Sequence, residues 1–417
     1  MRVAIIGTGI AGNVAAYHLS KFHDVLVYEA NNYVGGHTNT VDIETKNGKL
    51  SLDTGFIVFN DQTYPNFMRL LKDLNVDYID SEMSFSVSRE EPDIEYCGSS
   101  INGLFAQRLN LIKPSFWCLI NEILRFNRQA PKFLESEDKE ITLGEFVKKN
   151  KFSKFFLNHY LIPMGAAIWS SGLVNMEEMP AHFFVRFFSN HGLLRLHDRP
   201  QWKVIKGGSK EYVKKLIAPY KKNIKLNCSV ESISRKNNKV FVYLENDTEE
   251  VFDAVFLACH SDEALKILSD PSQAEKDILG SICYQKNTAV LHTDESLMPK
   301  RKQAWASWNY HFSNHFSSII TMTYFMNRLQ RLATNEQYFV TLNSEEVINP
   351  RNILKKISYS HPVFTYAAVQ AQNRKNEIDG INRTFYCGAY WKYGFHEDGV
   401  VSALESLNNF EVMVKNA

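Results

Sequence analysis

Residues 1–30 read MRVAIIGTGIAGNVAAYHLSKFHDVLVYEA, and their pattern predicts the fold. Residues 3–6 are a short apolar run of β type, and residues 13–21 have the apolar period of a helix. Residues 24–30 form a second apolar run. A strand, a helix and a second strand in this order are the unit from which parallel sheets are built. The sequence therefore predicts an α/β fold that begins at its first residues.

Three glycines, Gly7, Gly9 and Gly12, lie between the first strand and the helix. The first glycine of such a set permits a tight turn, and the second lets the backbone approach a pyrophosphate. The third lets helix and strand pack closely, with the phosphates at the helix N-terminus. Glu29, at the end of the second strand, is positioned to accept hydrogen bonds from a ribose diol. Together these features predict a dinucleotide site.

The composition narrows the class of protein further. The chain has 417 residues, 44% of them apolar, which favours one large or two interleaved domains. Lys and Arg number 47 against 46 Asp and Glu, so no nucleic-acid surface is expected. The six cysteines form no CxxC pair, so we expect no metal and a reducing, cytoplasmic setting. Glycines interrupt the apolar start, which argues against an export signal.

Two further stretches favour FAD over NAD. In EANNYVGGHTNTV, residues 29–41, the pair Gly35 and Gly36 lets the backbone run close to a bulky ligand. Residues 387–407, CGAYWKYGFHEDGVVSALESL, predict a strand, a glycine-containing loop and a helix that begins near Val400. The N–H groups at a helix start suit the electron-rich pyrimidine edge of a reduced flavin.

With these residues the chain resembles the FAD-dependent amine oxidase and phytoene desaturase superfamily. Within it, LDTGFIVFNDQTYPNF (52–67) and residues 388–407 resemble a bacterial group described as predicted NAD/FAD-binding proteins or flavin-containing amine oxidoreductases. The residues that carry the resemblance are Gly7, Gly9, Gly12, Ala16, Leu19, Val25, Val27, Glu29, Gly35, Gly36 and the segment from Gly388 to Gly399. The resemblance spans the full length.

The resemblance implies a set of FAD-binding residues. Those expected near the pyrophosphate, the riboses and adenine are Gly7, Thr8, Gly9, Ala11, Gly12, Glu29, Ala30, Gly35, Gly36, His37, Thr38 and the backbone of Val230. Those expected near the flavin ring are Asp53, Thr54, Gly55, Phe56, Gly388, Glu397, Asp398, Gly399 and Val400. Amine oxidases commonly have arginine at the positions held here by Tyr33 and His37, so the chain departs from that pattern at two points.

The implied architecture is a Rossmann-like FAD-binding domain of the GR2 type interleaved with a mixed α+β substrate domain. We assign residues 1–90, 200–285 and 355–417 to the FAD-binding domain. Residues 91–199 and 286–354 form the substrate domain, in which the aromatic-rich, helical stretch 105–195 is the cap.

The candidate catalytic residues are His396, Tyr390 and Lys286. His396, Glu397 and Asp398 form a polar triplet in the loop expected to face the flavin, although Asp398 is also placed to cap the last helix. Tyr390 could form a wall of the pocket or pack in the core. Lys286 is near the position where many amine oxidases carry a lysine beside the flavin, and a surface lysine is the alternative.

The expected reaction removes a hydride from a C–H bond of a small-molecule or lipid substrate. The chain has no second GxGxxG, so oxygen or a separate redox partner is the expected electron acceptor. A flavin amine oxidase, an FAD-dependent isomerase or mutase without net oxidation, and a non-catalytic FAD-binding module remain alternatives.

One stretch raises the question of a membrane. Phe183, Phe184, Phe187 and Phe188 form an apolar surface, and upstream lysines at 148, 149, 151 and 154 alternate with phenylalanines. Core packing with a solvated basic side is one interpretation. The other is a peripheral membrane contact through which a lipid substrate enters.

Overall fold

The computed structural model describes residues 1–46, 48–136, 138, 140–169, 176–245, 247–312 and 321–416. The strands are β1 Arg2–Ile6, β2 Asp24–Tyr28, β3 Thr40–Thr45, β4 Gly48–Asp53, β5 Phe59–Asn60, β6 Tyr78–Asp80, β7 Phe85–Arg89, β8 Ile94–Cys97, β9 Trp202–Ile205, β10 Ile224–Lys225, β11 Val230–Lys236, β12 Lys239–Leu244, β13 Glu249–Phe252, β14 Ala254–Leu257, β15 Cys283–His292, β16 Trp308–Phe312, β17 Thr321–Phe325, β18 Phe339–Leu342, β19 Ile353–Val363 and β20 Thr384–Tyr386.

The helices are α1 Ile10–Leu19, α2 Pro65–Asp73, α3 Ile101–Leu104, α4 Pro114–Phe133, α5 Leu143–Lys149, α6 Lys154–Phe156, α7 Ile162–Trp169, α8 Ala181–Asn190, α9 Lys210–Ile217, α10 Ser261–Ile267, α11 Gln273–Gly280, α12 Met326–Leu329, α13 Tyr366–Gln372 and α14 His396–Lys415. A π-helical turn, Leu157–Leu161, joins α6 to α7.

A parallel sheet in the order β10-β2-β1-β14-β20 is the centre of the first unit. Its middle strand β1 is apolar on both faces because helices and a smaller sheet cover both sides, as is usual for parallel sheets. Helix α1 packs against α9 and α14 on one side of the sheet. The β1–α1–β2 unit predicted from residues 1–30 is confirmed, and it starts the parallel sheet.

The antiparallel sheet β11-β12-β13 covers the other side. Asn237 and Asn238 both have left-handed φ angles (52° and 56°) and connect β11 to β12 as a tight turn. Asparagine tolerates this conformation better than most residues, which is why an Asn-Asn pair predicts a hairpin.

A second large sheet, β19-β15-β18-β17-β16-β7-β8, is the centre of the second unit. Helices α4 to α8 pack against it through one extensive apolar cluster. The predicted boundaries at 285/286 and 354/355 fall within β15 and β19, and β7 comes from the segment 1–90. The two units therefore share strands at their junction, whereas the parallel sheet uses only the predicted FAD-binding segments.

The phenylalanines of α8 pack inside the molecule. Phe183, Phe184, Phe187 and Phe188 are all buried, with Phe184 and Phe188 fully so. The lysines at 148, 149, 151 and 154 are exposed. This block is therefore a core-facing set of helices with a solvated basic side, and its buried phenylalanines are not available for a membrane contact. No helix among the described residues has the length and apolar character needed to cross a bilayer.

Candidate flavin site

The turn after β1 is shaped by glycine. Gly7 has a φ of +102°, and a Cβ there would lie 2.8 Å from the Ala258 carbonyl oxygen. A Cβ on Gly12 would lie 2.1 Å from the Gly7 carbonyl oxygen. Both positions exclude a side chain, so that α1 starts directly against the carboxyl edge of the sheet. The first and third glycines thus have the steric roles that the pattern predicts.

Gly9 differs from Gly7 and Gly12 because a Cβ built on it meets no atom of the described residues within 4 Å. Gly36, with a φ of +57°, would place its Cβ 3.2 Å from the Gly9 Cα, so the second glycine pair lies directly on the first loop. Gly9 is also the N-cap of α1, and no side chain caps that helix start. The open side of Gly9 and the free N–H groups of α1 form a cradle for an anionic group.

Glu29 is held at the end of β2 by hydrogen bonds within the chain. The Thr8 backbone N–H and hydroxyl donate to Oε2 (2.9 and 2.5 Å). The backbone and side-chain N–H groups of Asn31 donate to Oε1 (2.9 and 2.8 Å). The Gly35 N–H reaches the Thr8 hydroxyl as well (3.3 Å). Thr8 therefore ties the carboxylate to both glycine loops, and ribose recognition by Glu29 stays a prediction.

The segments 35–38, 53–56 and 396–400, which are far apart in sequence, converge in space. The rings of Phe56 and His396 stack with centroids 3.6 Å apart. The Tyr212 hydroxyl lies 2.6 Å from His396 Nε2 and 2.6 Å from the Thr38 hydroxyl. Burial lowers the pKa of His396 to about 3, so the ring is neutral. His396 is thus bonded to Tyr212 and oriented by Phe56.

His37 lies at the centre of a second cluster. Its ring stacks on Tyr359 at 4.7 Å, with His361 at 5.2 Å and His260 at 6.3 Å. Its buried Nε2 atom has no hydrogen-bond partner in the part of the chain that the structure describes. Burial, then the neighbouring His361 and His260, lower the pKa of His37 well below its ordinary value.

The buried carboxylates near the site are all engaged by the protein. Asp53 accepts hydrogen bonds from Thr40, Ser209 and Gln330, and burial raises its pKa to about 6. Glu397 accepts from the N–H groups of Asn66 (3.0 Å) and Phe67 (2.9 Å) at the start of α2.

Asp398 caps the start of α14. It accepts from the N–H groups of Tyr393 (3.1 Å) and Phe395 (2.9 Å), and burial raises its pKa to about 7. This is the capping role that the sequence offered as an alternative.

Other predicted residues lie around the same edge. Thr54 bonds to the Asn39 carbonyl (3.0 Å), and a Cβ on Gly55 would lie 2.2 Å from the His37 carbonyl oxygen. A Cβ on Gly399 would lie 2.6 Å from Ile10 Cγ2, so α14 starts against the start of α1. Val400 is buried beside them, and the Gly388 N–H donates to the Ser402 hydroxyl (2.7 Å).

Beyond β2, the Cys228 N–H donates to the Glu29 carbonyl (2.9 Å). This bond brings the start of β11, with Val230, alongside Glu29. Ala30 is exposed directly after Glu29.

Two catalytic candidates lie apart from His396. Lys286 is exposed and pairs with Ser360, while Tyr359 and His361 pair with Asn287 and Gln285. Strand alternation therefore puts Lys286 on the face opposite to the His37 cluster. Tyr390 is buried against Gly388 and Trp391, and its hydroxyl has no partner among the described residues.

The sequence analysis missed Tyr212, His260, Tyr359 and His361. A signal existed for His260, because it follows β14, whose carboxyl end meets that of β1 at the Gly7 turn. No local signal marked Tyr359 and His361, which reach the site through the register of β19.

The arrangement fits FAD. A cradle of glycines and free N–H groups leads from Glu29 past Gly9 to the unpartnered Nε2 of His37 and the start of α14. A dinucleotide is the ligand that this order of parts accommodates. The site therefore defines a dinucleotide-binding α/β protein.

The comparisons identify the family. The sequence model described as "Flavin containing amine oxidoreductase" matches residues 10–344. The chain belongs to this family; it is an FAD-dependent oxidoreductase. A comparison with curated proteins gives no match.

Solved structures support the fold. The cyclohexylamine oxidase from Brevibacterium oxydans IH-35A has a TM-score of 0.70 at 13% identity, with 99% of each chain covered. Putrescine oxidase bound to putrescine has 0.69 at 14%, also with 99% of each chain covered. A CLA-producing fatty acid isomerase from P. acnes has 0.68 at 14%, with 98% of each covered.

Proposed function

We propose that this oxidoreductase removes a hydride from a C–H bond of an apolar substrate, of the lipid or fatty-acyl class, and that the electrons pass to oxygen or to a separate redox partner. Bound FAD supplies the acceptor for the hydride at its flavin ring. The chain's own residues bind the cofactor, orient it and exclude water.

The observation that carries the proposal is the state of the buried carboxylates. Asp53, Glu397 and Asp398 each accept hydrogen bonds from protein groups, and the pKa values of both aspartates are raised by burial. A buried alkylammonium group is stabilised by an anion whose oxygen lone pairs face it. The oxygens of these three carboxylates already accept hydrogen bonds from protein groups, which supports an uncharged reacting group.

Aromatic side chains surround the loop before α14. Phe183 stacks on Phe364 (4.8 Å) and approaches Tyr393 (4.7 Å), while Phe187 stacks on Phe395 (4.9 Å). The Trp169 indole N–H donates to the Tyr393 carbonyl (3.2 Å). An apolar, aromatic boundary at the flavin end supports a hydrocarbon chain as the substrate.

The same aromatic groups support a second candidate, a flavin amine oxidase. Tyrosine and tryptophan faces attract a cation without a carboxylate. The structural similarity to the fatty acid isomerase supports a third candidate, an isomerisation without net oxidation, although at 14% identity it shows the fold alone.

Anaerobic titration of the FAD-loaded protein separates the three. We expect a fatty acid or phospholipid with the reactive C–H bond to bleach the flavin absorbance with one equivalent, and primary alkylamines and diamines to leave it unchanged. Bleaching by amines alone would contradict the proposal in favour of the amine oxidase. Substrate conversion without net bleaching would contradict it in favour of the isomerase.

A further inference from the structure

An exposed apolar surface lies on the substrate unit, away from the phenylalanines of α8. It consists of Ile101, Leu109, Leu111, Ile112 and Trp117, all exposed, and we name it the 101–117 surface. Ile101 and Ile112 are 81% and 78% exposed. Apart from Val412 and Val414, the other exposed large apolar side chains in the described part of the chain are spread singly along the sequence, which is normal for a protein surface. Five exposed apolar side chains within 17 residues are unusual for a protein surface.

The 101–117 surface is a compact, well-supported structure. It comprises α3, the 3₁₀ turn Arg108–Leu111 and the start of α4. The Trp117 indole N–H donates to the Leu111 carbonyl (2.9 Å), and its ring lies 5.5 Å from Phe105. Phe105 is buried and packs on Phe116. The exposed side chains are therefore held outward by a buried base and are not a loose loop.

The charges around this surface are cationic. Residues 96–121 contain Arg108 and Lys113 and no acidic residue. The 3₁₀ turn Lys302–Ala304 packs beside α3 and adds Lys302, with Lys300 just before it. Both of these lysines are exposed.

Of two acids that precede this surface, one is paired with a cation and the other is hydrogen-bonded. Glu95 is buried and paired with Arg301 (2.6 Å). Asp93 accepts from the Gln107 amide (2.6 Å).

We propose that the 101–117 surface docks this protein on an anionic lipid bilayer. Isoleucine, leucine and tryptophan side chains enter the interface between head groups and acyl chains, where tryptophan is favoured. Arg108, Lys113, Lys300 and Lys302 face the anionic head groups, which attract cations near the surface. A role in substrate delivery rests on the proposed lipid substrate, but the docking itself does not.

A second copy of the chain is the other occupant to consider. A stable protein interface takes roughly 800 Å² and 20–30 residues from each partner. The 101–117 surface offers five apolar side chains with a cationic border, and two such borders would repel each other in a symmetric pair. A bilayer needs only a few inserted side chains and supplies the opposite charge.

The test is flotation of the FAD-loaded full chain with vesicles. We expect binding to vesicles of equal parts phosphatidylcholine and phosphatidylglycerol, and weak binding to phosphatidylcholine alone. The double variant Ile101→Asn, Ile112→Asn should lower the partition constant by about tenfold or more, because two apolar side chains no longer enter the interface. The matched control is Ile381→Asn, Leu226→Asn, which changes two exposed apolar residues elsewhere and should bind like the wild type.

Trp117 gives a direct readout of insertion. Brominated phosphatidylcholine in the anionic vesicles should quench part of the tryptophan fluorescence, and Trp117→Phe should remove that quenched part. The flavin spectrum and melting temperature of each variant check that it is folded.

No flotation of the folded wild type, or equal loss in both double variants, would overturn the proposal. A dimer in solution that Ile101→Asn, Ile112→Asn converts to monomer would assign the surface to a second copy instead. Flotation does not depend on turnover, so it tests membrane docking separately from the lipid substrate. The protein can bind vesicles although no lipid bleaches the flavin, and a lipid can bleach the flavin although the protein does not bind vesicles.

Discussion

At the scale of single residues, His37 is, with Tyr33, one of the two positions where the resemblance to amine oxidases implies an arginine. An arginine keeps its charge at any pH in the working range, whereas a histidine takes up a proton only where its surroundings allow it. Here burial and three neighbouring histidines keep His37 neutral in the absence of a ligand. A pyrophosphate beside it would favour the protonated form.

This predicts a proton-coupled affinity for FAD. Between the pKa of His37 in the free protein and its higher pKa beside the pyrophosphate, binding would take up one proton, so it should weaken as the pH rises and strengthen as it falls. The dissociation constant measured by flavin fluorescence across neutral pH should show this slope in the wild type. The His37→Ala variant should bind FAD less tightly, and its dissociation constant should not change with pH. A slope that persists in His37→Ala would assign the proton to His260 or His361.

Glu397 has a role in the fold that its predicted place near the flavin did not include. Its carboxylate accepts hydrogen bonds from the first N–H groups of α2. Removing a charged acceptor from buried donors costs roughly 1.5–3 kcal/mol. We therefore expect Glu397→Ala to lower the free energy of unfolding by about that amount, and Glu397→Gln by less, in urea titrations of the cofactor-free protein.

The affinity of folded Glu397→Gln for FAD should remain close to that of the wild type. A selective loss of FAD affinity, with unchanged stability, would show that the carboxylate serves the cofactor.

At the scale of elements, two glycines at the start of α1 have different roles: Gly12 is needed for the fold, and Gly9 leaves space for the ligand. A Cβ on Gly12 would overlap the Gly7 carbonyl oxygen, whereas a Cβ on Gly9 enters open space. The φ and ψ angles of Gly9 (−63° and 179°) are also open to alanine. Gly9→Ala should therefore fold with the stability of the wild type.

The same substitution should weaken FAD binding by at least about tenfold, because the new methyl group occupies the path of the cofactor past the loop. Gly12→Ala is the contrasting variant and should lose stability as well. Unfolding curves and flavin fluorescence titrations of the two variants test this. Unimpaired FAD binding by Gly9→Ala would place the cofactor elsewhere.

The elements also explain which parts of the site could be predicted from sequence. The β1–α1–β2 unit and the Asn237–Asn238 turn depend on local geometry, so local residues predict them. Tyr359 joins His37 only through the long-range pairing of β15 with β19, which no local pattern encodes. Lys286 and Tyr359 are separated by one step of strand alternation, and sequence alone does not fix that register.

At the scale of the whole molecule, three buried histidines titrate far from their ordinary range. Burial lowers the pKa of His191 and of His292 to about 4, and that of His396 to about 3. His191 follows α8, His292 ends β15 and His396 begins α14. The lowered pKa values therefore arise in three separate parts of the fold. All three are neutral in the folded chain at mild acidity, while the unfolded chain has ordinary histidines.

The sign of the pH dependence follows from these shifts. Below about pH 6.5 the unfolded chain takes up protons at these histidines and the folded chain does not, until about pH 4. Each histidine then lowers the free energy of unfolding by up to roughly 1.4 kcal/mol per pH unit. Asp53 and Asp398 act in the opposite direction, because their raised pKa values, about 6 and about 7, let the folded chain take up protons first.

Burial also raises the pKa of Asp379, which makes three aspartates, and it lowers the pKa of His361 to about 4, which makes four histidines. The four histidines outweigh the three aspartates. The stability of the cofactor-free protein should therefore fall between neutral pH and about pH 5, as measured by urea unfolding. His292→Gln should reduce this slope by up to one proton, since it removes a single titrating ring. If the free energy of unfolding instead rises as the pH falls, the buried aspartates dominate. The histidine rings would then gain protons while the chain remains folded.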